Sequence, residues 1–276
     1  VEELSAKVLN GTRISDEDFY RLSESDDLHL LGYLANTRKQ QKHPDKIVTY
    51  VIDRNINYTD ICISGCKFCA FYKKTEGDDG KLLSIAELEQ KLEETKKLGG
   101  TQILLQGGLH PELTIEYYED MVRFIKDKGL HVHGFSPPEI HHFAAVSNIS
   151  TDEVLDRLIR AGLGSIPGGG AEILSDRVRN LTAPQKCSAD EWIGVMKQAH
   201  KKGLRTTATM MFGHVEELSE RLEHLRRLRE LQDQTGGFTA FIPWPFQPNN
   251  TMLADEGMVP KTGGYEYLKT LADMNI

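Results

Sequence analysis

The sequence predicts an α/β protein, a TIM-type barrel in the form of a (β/α)6 partial barrel behind an N-terminal helical extension. Three observations carry this. Short apolar runs recur at about residues 55–59, 102–106, 130–135, 163–166, 205–211 and 238–243, each of a length that suits a buried parallel strand. Helical patterns follow these runs, and strand–helix alternation winds a parallel sheet with its helices outside. No linker or low-complexity stretch divides the 276 residues, which suffice for one large domain.

Residues 1–45 read as polar and helical, with Ser15-Asp-Glu-Asp18 as a helix start and Leu22, Leu28, Leu31 and Leu34 as apolar positions. Residues 46–276 are expected to form the barrel core. Within it, Ser84-Ile-Ala-Glu87, Ser150-Thr-Asp-Glu153 and Ser188-Ala-Asp-Glu191 have capping-box spacing, in which hydroxyl and carboxylate each satisfy a free N–H of the first helical turn. A helix over about 216–234 carries Leu218, Leu222, Leu225, Leu228 and Leu231 at helical spacing and stops at Gly236-Gly237. Its leucine stripe is expected in the core and its interleaved Arg and Glu in solvent.

The loop after the first strand holds Cys62, Cys66 and Cys69 in the run Asp60-Ile-Cys-Ile-Ser-Gly-Cys-Lys-Phe-Cys-Ala-Phe-Tyr72. This is C-x3-C-x2-C, with Gly65 permitting a sharp turn between the first two thiols. A cubane [4Fe–4S] cluster takes four thiolates, so three would leave one iron an open position, as catalytic metal sites do. Disulfides do not suit an odd cysteine number at this spacing. A structural zinc site would need a fourth ligand, and Cys187 lies far off in a different context, more a bystander thiol than a ligand. The loop falls at the C-terminal mouth, where such barrels build their sites.

Other chemistry-bearing residues collect at the later strand ends. Gln106-Gly-Gly108 follows the second strand, and its glycines would let backbone approach a ligand. His131 and His133 alternate on the third strand, where an interior structural role outweighs substrate contact; Ser136-Pro-Pro-Glu139 follows, bringing two polar groups to the mouth. After the fourth strand, Gly168-Gly-Gly170 could form a concave backbone nest, and Glu172 could accept hydrogen bonds from a ribose diol. The fifth strand ends at Gly213-His-Val-Glu216, making His214 and Glu216 candidates for proton transfer. The sixth ends at Pro243-Trp-Pro-Phe246, an apolar, proline-stiffened stretch in which Trp244 and Phe246 suit an aromatic substrate wall.

Composition narrows the class. With 33 basic and 41 acidic residues, a net charge of −8, the chain shows no basic footprint for nucleic acid or anionic lipid. No apolar run approaches the length of a membrane span, and Val1-Glu-Glu-Leu-Ser5 is no secretory signal. Cysteines without pairing logic suit a reducing, cytoplasmic setting.

The cysteine spacing, with Phe68 before the third thiol, resembles the radical S-adenosylmethionine (SAM) enzymes. Asn57-Tyr-Thr-Asp-Ile-Cys62, Gln102 to Glu112, His133 to Ile140, Pro167 to Ile173, Thr207 to Glu216 and Gly237 to Gln247 are together similar to the branch serving menaquinone and deazaflavin biosynthesis, most nearly its futalosine-cyclising members. The resemblance covers about residues 10–255. It implies a [4Fe–4S] cluster on Cys62, Cys66 and Cys69, SAM contacts at Phe68, Gly107, Gly108 and Glu172, and substrate contacts at Ser136, Glu139 and Trp244. It also implies a reduced flavodoxin- or ferredoxin-type electron donor. The implied reaction cleaves SAM to a 5′-deoxyadenosyl radical, which takes a hydrogen from the ribose part of dehypoxanthinyl futalosine. The substrate radical then closes on the benzoate ring, which loses a proton and an electron; His214, Glu139 and Glu216 are candidates for the base. The alternatives are the sister aminofutalosine synthases, which build the adenosyl group into product, and a fragment that binds a cluster without turnover. Sulfur insertion is disfavoured, because no second cysteine group could hold an auxiliary cluster. Members of the branch continue past a sixth β/α unit, whereas this chain stops at Leu271-Ala-Asp-Met-Asn-Ile276, so a C-terminal truncation is expected.

Overall fold

The computed structural model describes residues 2–74, 79–257 and 262–276. Its six strands are β1 (Asp53–Asn57), β2 (Gln102–Gln106), β3 (His131–Gly134), β4 (Leu163–Ile166), β5 (Arg205–Phe212) and β6 (Phe238–Pro245). They pair in sequence order, all parallel, as one curled sheet, and among the described residues β6 does not return to β1. The predicted partial barrel is therefore a half-barrel. The strand β1 starts two residues earlier than the apolar pattern indicates. Its alternate residues face the lumen, so Asp53 and Asn55 can be polar there, and the chain leaves the ladder at Tyr58.

The helices are α1 (Glu2–Leu9), α2 (Asp16–Ser23), α3 (Leu28–Lys42), α4 (Ile85–Lys97), α5 (Ile115–Asp127), α6 (Pro137–Ser147), α7 (Thr151–Ala161), α8 (Asp176–Thr182), α9 (Ala189–Lys201), α10 (Leu218–Thr235), α11 (Met252–Asp255) and α12 (Gly264–Asn275). Reciprocal capping boxes form at Ser84/Glu87 and Ser188/Glu191; Ser150 accepts the Glu153 N–H without a return bond. None of the described helices is long and apolar enough to cross a membrane.

One face of the sheet is apolar. Ile56, Ile103, Leu105 and Val132 pack under Leu92 of α4 and Val122 of α5 in the main core. Leu4, Val8, Leu31 and Leu34 of the N-terminal helices form a second, small core with Ala272 of α12. The leucine stripe of α10 is less simple than expected. Leu228 and Leu231 are buried, but Leu218 is exposed, and the first half of the helix instead buries Glu220 and His224. Glu220 accepts from Ser175 and Arg177, and His224 accepts the Leu174 N–H, so this half holds the segment after β4 through polar contacts.

Residues paired in register across parallel strands share a face. Asn57 stands beside Gln106, His133 beside Ser165, Thr207 beside Ala240 and Met211 beside Trp244. All of these lie opposite the apolar face, so the half-barrel lumen is lined mostly by polar side chains.

Candidate active site

The cysteine loop is shaped by its backbone. Gly65 adopts φ 57°, in the left-handed region that favours glycine. The Cys62 N–H donates to the Lys73 carbonyl at 3.0 Å, the Cys69 N–H to Cys66 at 3.1 Å, and the Lys67 N–H to Thr182 at 2.8 Å. All three thiols are free; Cys66 is buried, while Cys62 and Cys69 are half-buried. They line one cavity of about 270 Å3 at the mouth of the half-barrel, with Phe68, Gln106, Gly107, Gly108, Ser136 and Lys186 among its other walls. Two larger cavities of about 520 Å3 lie against the N-terminal helices and beside α4, and no thiol lines either.

The donor set tells a cluster from a single ion. Among the described residues no three His, Cys, Asp or Glu side chains converge closely enough to hold one metal ion. A zinc site needs that convergence, whereas a cubane offers each thiolate its own iron. Three separate thiols around one mouth cavity fit a cluster.

The end of β2 is pressed against this loop. A Cβ on Gly108 would run into the Ile61 carbonyl, and one on Gly107 into the Tyr58 ring, so both positions admit only glycine without a shift. Glu139, expected as a substrate contact, lines the same cavity and also clamps these glycines in place. Its buried carboxylate accepts from the Tyr58 hydroxyl (2.8 Å), the Gly107 N–H (3.0 Å), the Ser136 N–H (2.7 Å) and the Ser136 hydroxyl (2.6 Å). Both oxygens are engaged by these four donors, and the residue itself lines the cysteine cavity. Burial pushes this carboxyl above its ordinary range despite the four donors. Ser136 lines the cavity, with its hydroxyl directed to Glu139.

Lys186 belongs to no motif in the sequence, yet it lines the cavity. Its Nζ lies 3.0 Å from Glu172 Oε1 and 5.0 Å from the centre of the Phe68 ring. Burial opposes its charge, but Cys66 and Glu172 outweigh burial and hold the ammonium above the ordinary lysine range. Glu172 is buried at φ 41° against Lys186 and does not itself line the cavity. Burial pushes the Cys66 thiol up, and Lys186 opposes that shift.

The three glycines after β4 are closely packed. A Cβ on Gly168 would meet Ala208 Cα at 2.7 Å, one on Gly169 the Gln106 side chain, and one on Gly170 the Pro138 ring. The Gly168 N–H donates to Thr207, and the Gly169 and Gly170 carbonyls accept from Trp192 and Arg179. The glycines allow close packing, and only Gly170 reaches the cavity.

His214 and Glu216 are also occupied. Glu216 accepts from the Gly213 and His214 N–H groups and from Arg221, while His214 Nε2 meets the Met211 carbonyl at 2.9 Å. Both side chains are fully buried and neither lines the cysteine cavity, while the buried His214 Nδ1 has no hydrogen-bond partner among the described residues. Of the two aromatics at the end of β6, Phe246, just past the strand, is buried with Met211 and Leu253, whereas Trp244, within it, is 37% exposed on the lumen face, outside the cysteine cavity. Cys187 is buried away from that cavity, its thiol pushed by burial to about 11.

Comparison with known proteins agrees with this geometry. The profile of the Radical SAM superfamily matches residues 56–228. The chain is 43% identical over 275 residues to the cyclic dehypoxanthine futalosine synthase of Halalkalibacterium halodurans, covering 99% of this chain and 73% of that one. It is 41% identical over 273 residues to the aminodeoxyfutalosine synthase of Thermus thermophilus, covering 98% and 73%. It is 46% identical over 231 residues to the 5-amino-6-(D-ribitylamino)uracil–L-tyrosine 4-hydroxyphenyl transferase 1 of Methanosarcina mazei, covering 82% and 60%. Among solved structures, methylornithine synthase superposes with a TM-score of 0.72 at 18% identity, over 98% of this chain and 76% of that one. HydG, a maturase of the [FeFe]-hydrogenase, does so with 0.74 at 16% identity, over 99% and 61%. Enzymes of the matched superfamily use a [4Fe–4S] cluster and SAM. With its half-barrel, its three-thiol mouth and a profile match across most of the sheet, the chain belongs to the radical SAM superfamily.

Proposed function

We propose that the chain is a radical SAM cyclase that converts dehypoxanthinyl futalosine to its cyclic product on the futalosine route to menaquinone. The observation that supports this most is the 43% identity to a cyclic dehypoxanthine futalosine synthase along 99% of the chain. In this reading Cys62, Cys66 and Cys69 hold the cluster. Phe68, Gly107, Gly108 and Glu172 border SAM, with Lys186 offering the ammonium that an anionic group of SAM would meet. When bound, the cluster and SAM supply a carbon-centred radical from an electron brought by a flavodoxin- or ferredoxin-type donor. The protein's share is enclosure and orientation. The mouth loops shield the reacting atoms from water, Ser136 approaches from the end of β3, and Trp244 supplies a flat apolar wall against the benzoate ring. With Glu139, His214 and Glu216 engaged in the protein's own hydrogen bonds, none of the three is retained as the base.

The 41% identity to an aminodeoxyfutalosine synthase favours one other reading, in which the adenosyl group becomes part of the product. The anaerobically reconstituted chain, assayed with SAM, dithionite and each substrate, separates the two. Free 5′-deoxyadenosine with a cyclised nucleoside is expected; an adenosyl group covalently retained in the product would replace the cyclase by the synthase.

A further inference from the structure

Three side chains link the lumen to the opposite rim of the sheet. His131 and His133 stand on one face of β3, and Ser165 stands beside His133 on β4. Ser165 Oγ lies 2.7 Å from His133 Nδ1 and 2.8 Å from His131 Nε2. His131 is exposed at the N-terminal rim, while His133 is half-buried and faces the lumen. The place of His131 is built rather than incidental: a Cβ on Gly164 would run into its ring, so the imidazole lies directly on that glycine's backbone.

A hydroxyl carries one proton and two lone pairs. Ser165 Oγ has these two imidazoles as its only hydrogen-bond partners among the described residues, so it donates to one ring and accepts from the other. The two tautomers are thereby tied together, and His133 Nε2, the ring nitrogen that Ser165 does not bind, changes between acceptor and donor as the pair switches.

We propose that His133, Ser165 and His131 are a proton relay that carries the proton lost by the lumen-bound substrate to solvent at the N-terminal rim. This rests on the cyclase reading, in which ring closure on the benzoate must release a proton. The transfer balances without any other reactant. The substrate's proton bonds to His133 Nε2, and the proton on His133 Nδ1 moves to Ser165 Oγ. The former Ser165 proton moves to His131 Nε2, and the proton on His131 Nδ1 passes to water. Neutral rings are required at the start. Burial supplies them, pushing His133 down to about 4 and lowering His131 as well. The charged groups facing the relay are Asp53 on β1, which opposes the shift of His133, and Lys126 on α5, which adds to that of His131. Arg205 on β5 is in register with Ser165, but its guanidinium is held by the Gly236 carbonyl.

Two measurements test the relay. In nitrogen-15 NMR of the histidine-labelled chain, the tautomers of His131 and His133 should be coupled in the unmutated protein and in Ser165→Thr, and independent in Ser165→Ala. In turnover, cyclised product per 5′-deoxyadenosine released should fall about 100-fold in Ser165→Ala, the low end for lost acid–base assistance. His131→Asn, a change at the exposed rim, should lower the same ratio and reduce the solvent isotope effect on product formation. Tautomers unaffected by Ser165→Ala, or a product ratio equal to wild type in both variants, would overturn the relay. Coupled tautomers in a chain that cyclises nothing would support the relay's geometry while removing the cyclase reading.

Discussion

Glu139 shows how much of the site depends on a side chain that need not touch any ligand. One carboxylate ties the end of β1 through Tyr58, the end of β2 through Gly107 and the start of α6 through Ser136. Glu139→Gln keeps the shape but replaces one acceptor oxygen with an NH2 that faces donors. Leaving buried donors unpaired costs about 1–3 kcal/mol each, so a loss of roughly 2–4 kcal/mol in urea unfolding is expected. Tyr58→Phe removes a single donor and should cost about 1 kcal/mol. Equal stability of Glu139→Gln and wild type would show that the clamp is not strained by losing its charge. The thiols make a second contrast at this scale. Cys62→Ala, Cys66→Ala or Cys69→Ala should each abolish iron and sulfide uptake on reconstitution. Cys187→Ala should leave it at about four irons per chain, the complement of one cubane. Iron loss in Cys187→Ala would put that buried thiol back among the ligands.

At the scale of elements, the segment after β4 is a close joint against β5. Gly168 sits so close to β5 that Gly168→Ala must push Ala208 Cα from 2.7 Å to an ordinary contact distance. Overpacking of this kind typically costs about 1–3 kcal/mol. It should show as a lowered urea midpoint together with weaker SAM binding, since Gly170 and Glu172 lie on the same segment. An unchanged midpoint would mean that β4 and β5 part easily. This joint also marks where the sequence stops being legible. The six strands could be read because buried parallel strands are short and apolar, and the capping serines because their spacing is fixed by helix geometry. The cysteine loop could be read because thiol spacing is itself chemistry. Contacts between distant segments leave no such trace. Nothing in Lys186-Cys187 says that the lysine folds back onto Glu172 and Phe68, and Ser-Pro-Pro-Glu does not reveal that its glutamate faces Gly107. His214 and Glu216 misled for the same reason: polar residues at a strand end look catalytic until the backbone groups they cap are known. The α10 stripe misled because the first half of the helix buries Glu220 and His224 against the segment after β4.

Across the whole molecule, buried histidines set how stability responds to pH. Burial holds His133 and His200 at about 4 and His224 at about 3. An unfolded histidine titrates near 6.5, so between roughly pH 6.5 and 4 the unfolded chain binds more protons than the folded one. The stability these groups confer is complete above the unfolded value and is lost as pH falls through that window. Two buried carboxyls work the other way. Asp273 is raised by burial to about 6 and Glu139 is raised as well, so their ionisation opposes folding and their protonation offsets part of the loss. The histidine contribution begins to fall first, near pH 6.5, and more imidazoles are lowered than these two carboxyls can offset. The urea midpoint should therefore decline between pH 7.5 and 5. His224 allows the cause to be isolated, because its Nδ1 accepts the Leu174 N–H at 3.0 Å and an Asn side-chain oxygen can do the same without titrating. His224→Asn should be less stable than wild type at pH 7.5, through the lost ring, yet show a shallower decline toward pH 5. A variant whose midpoint falls as steeply as wild type would mean that the slope originates in the carboxylates and not in the buried imidazoles.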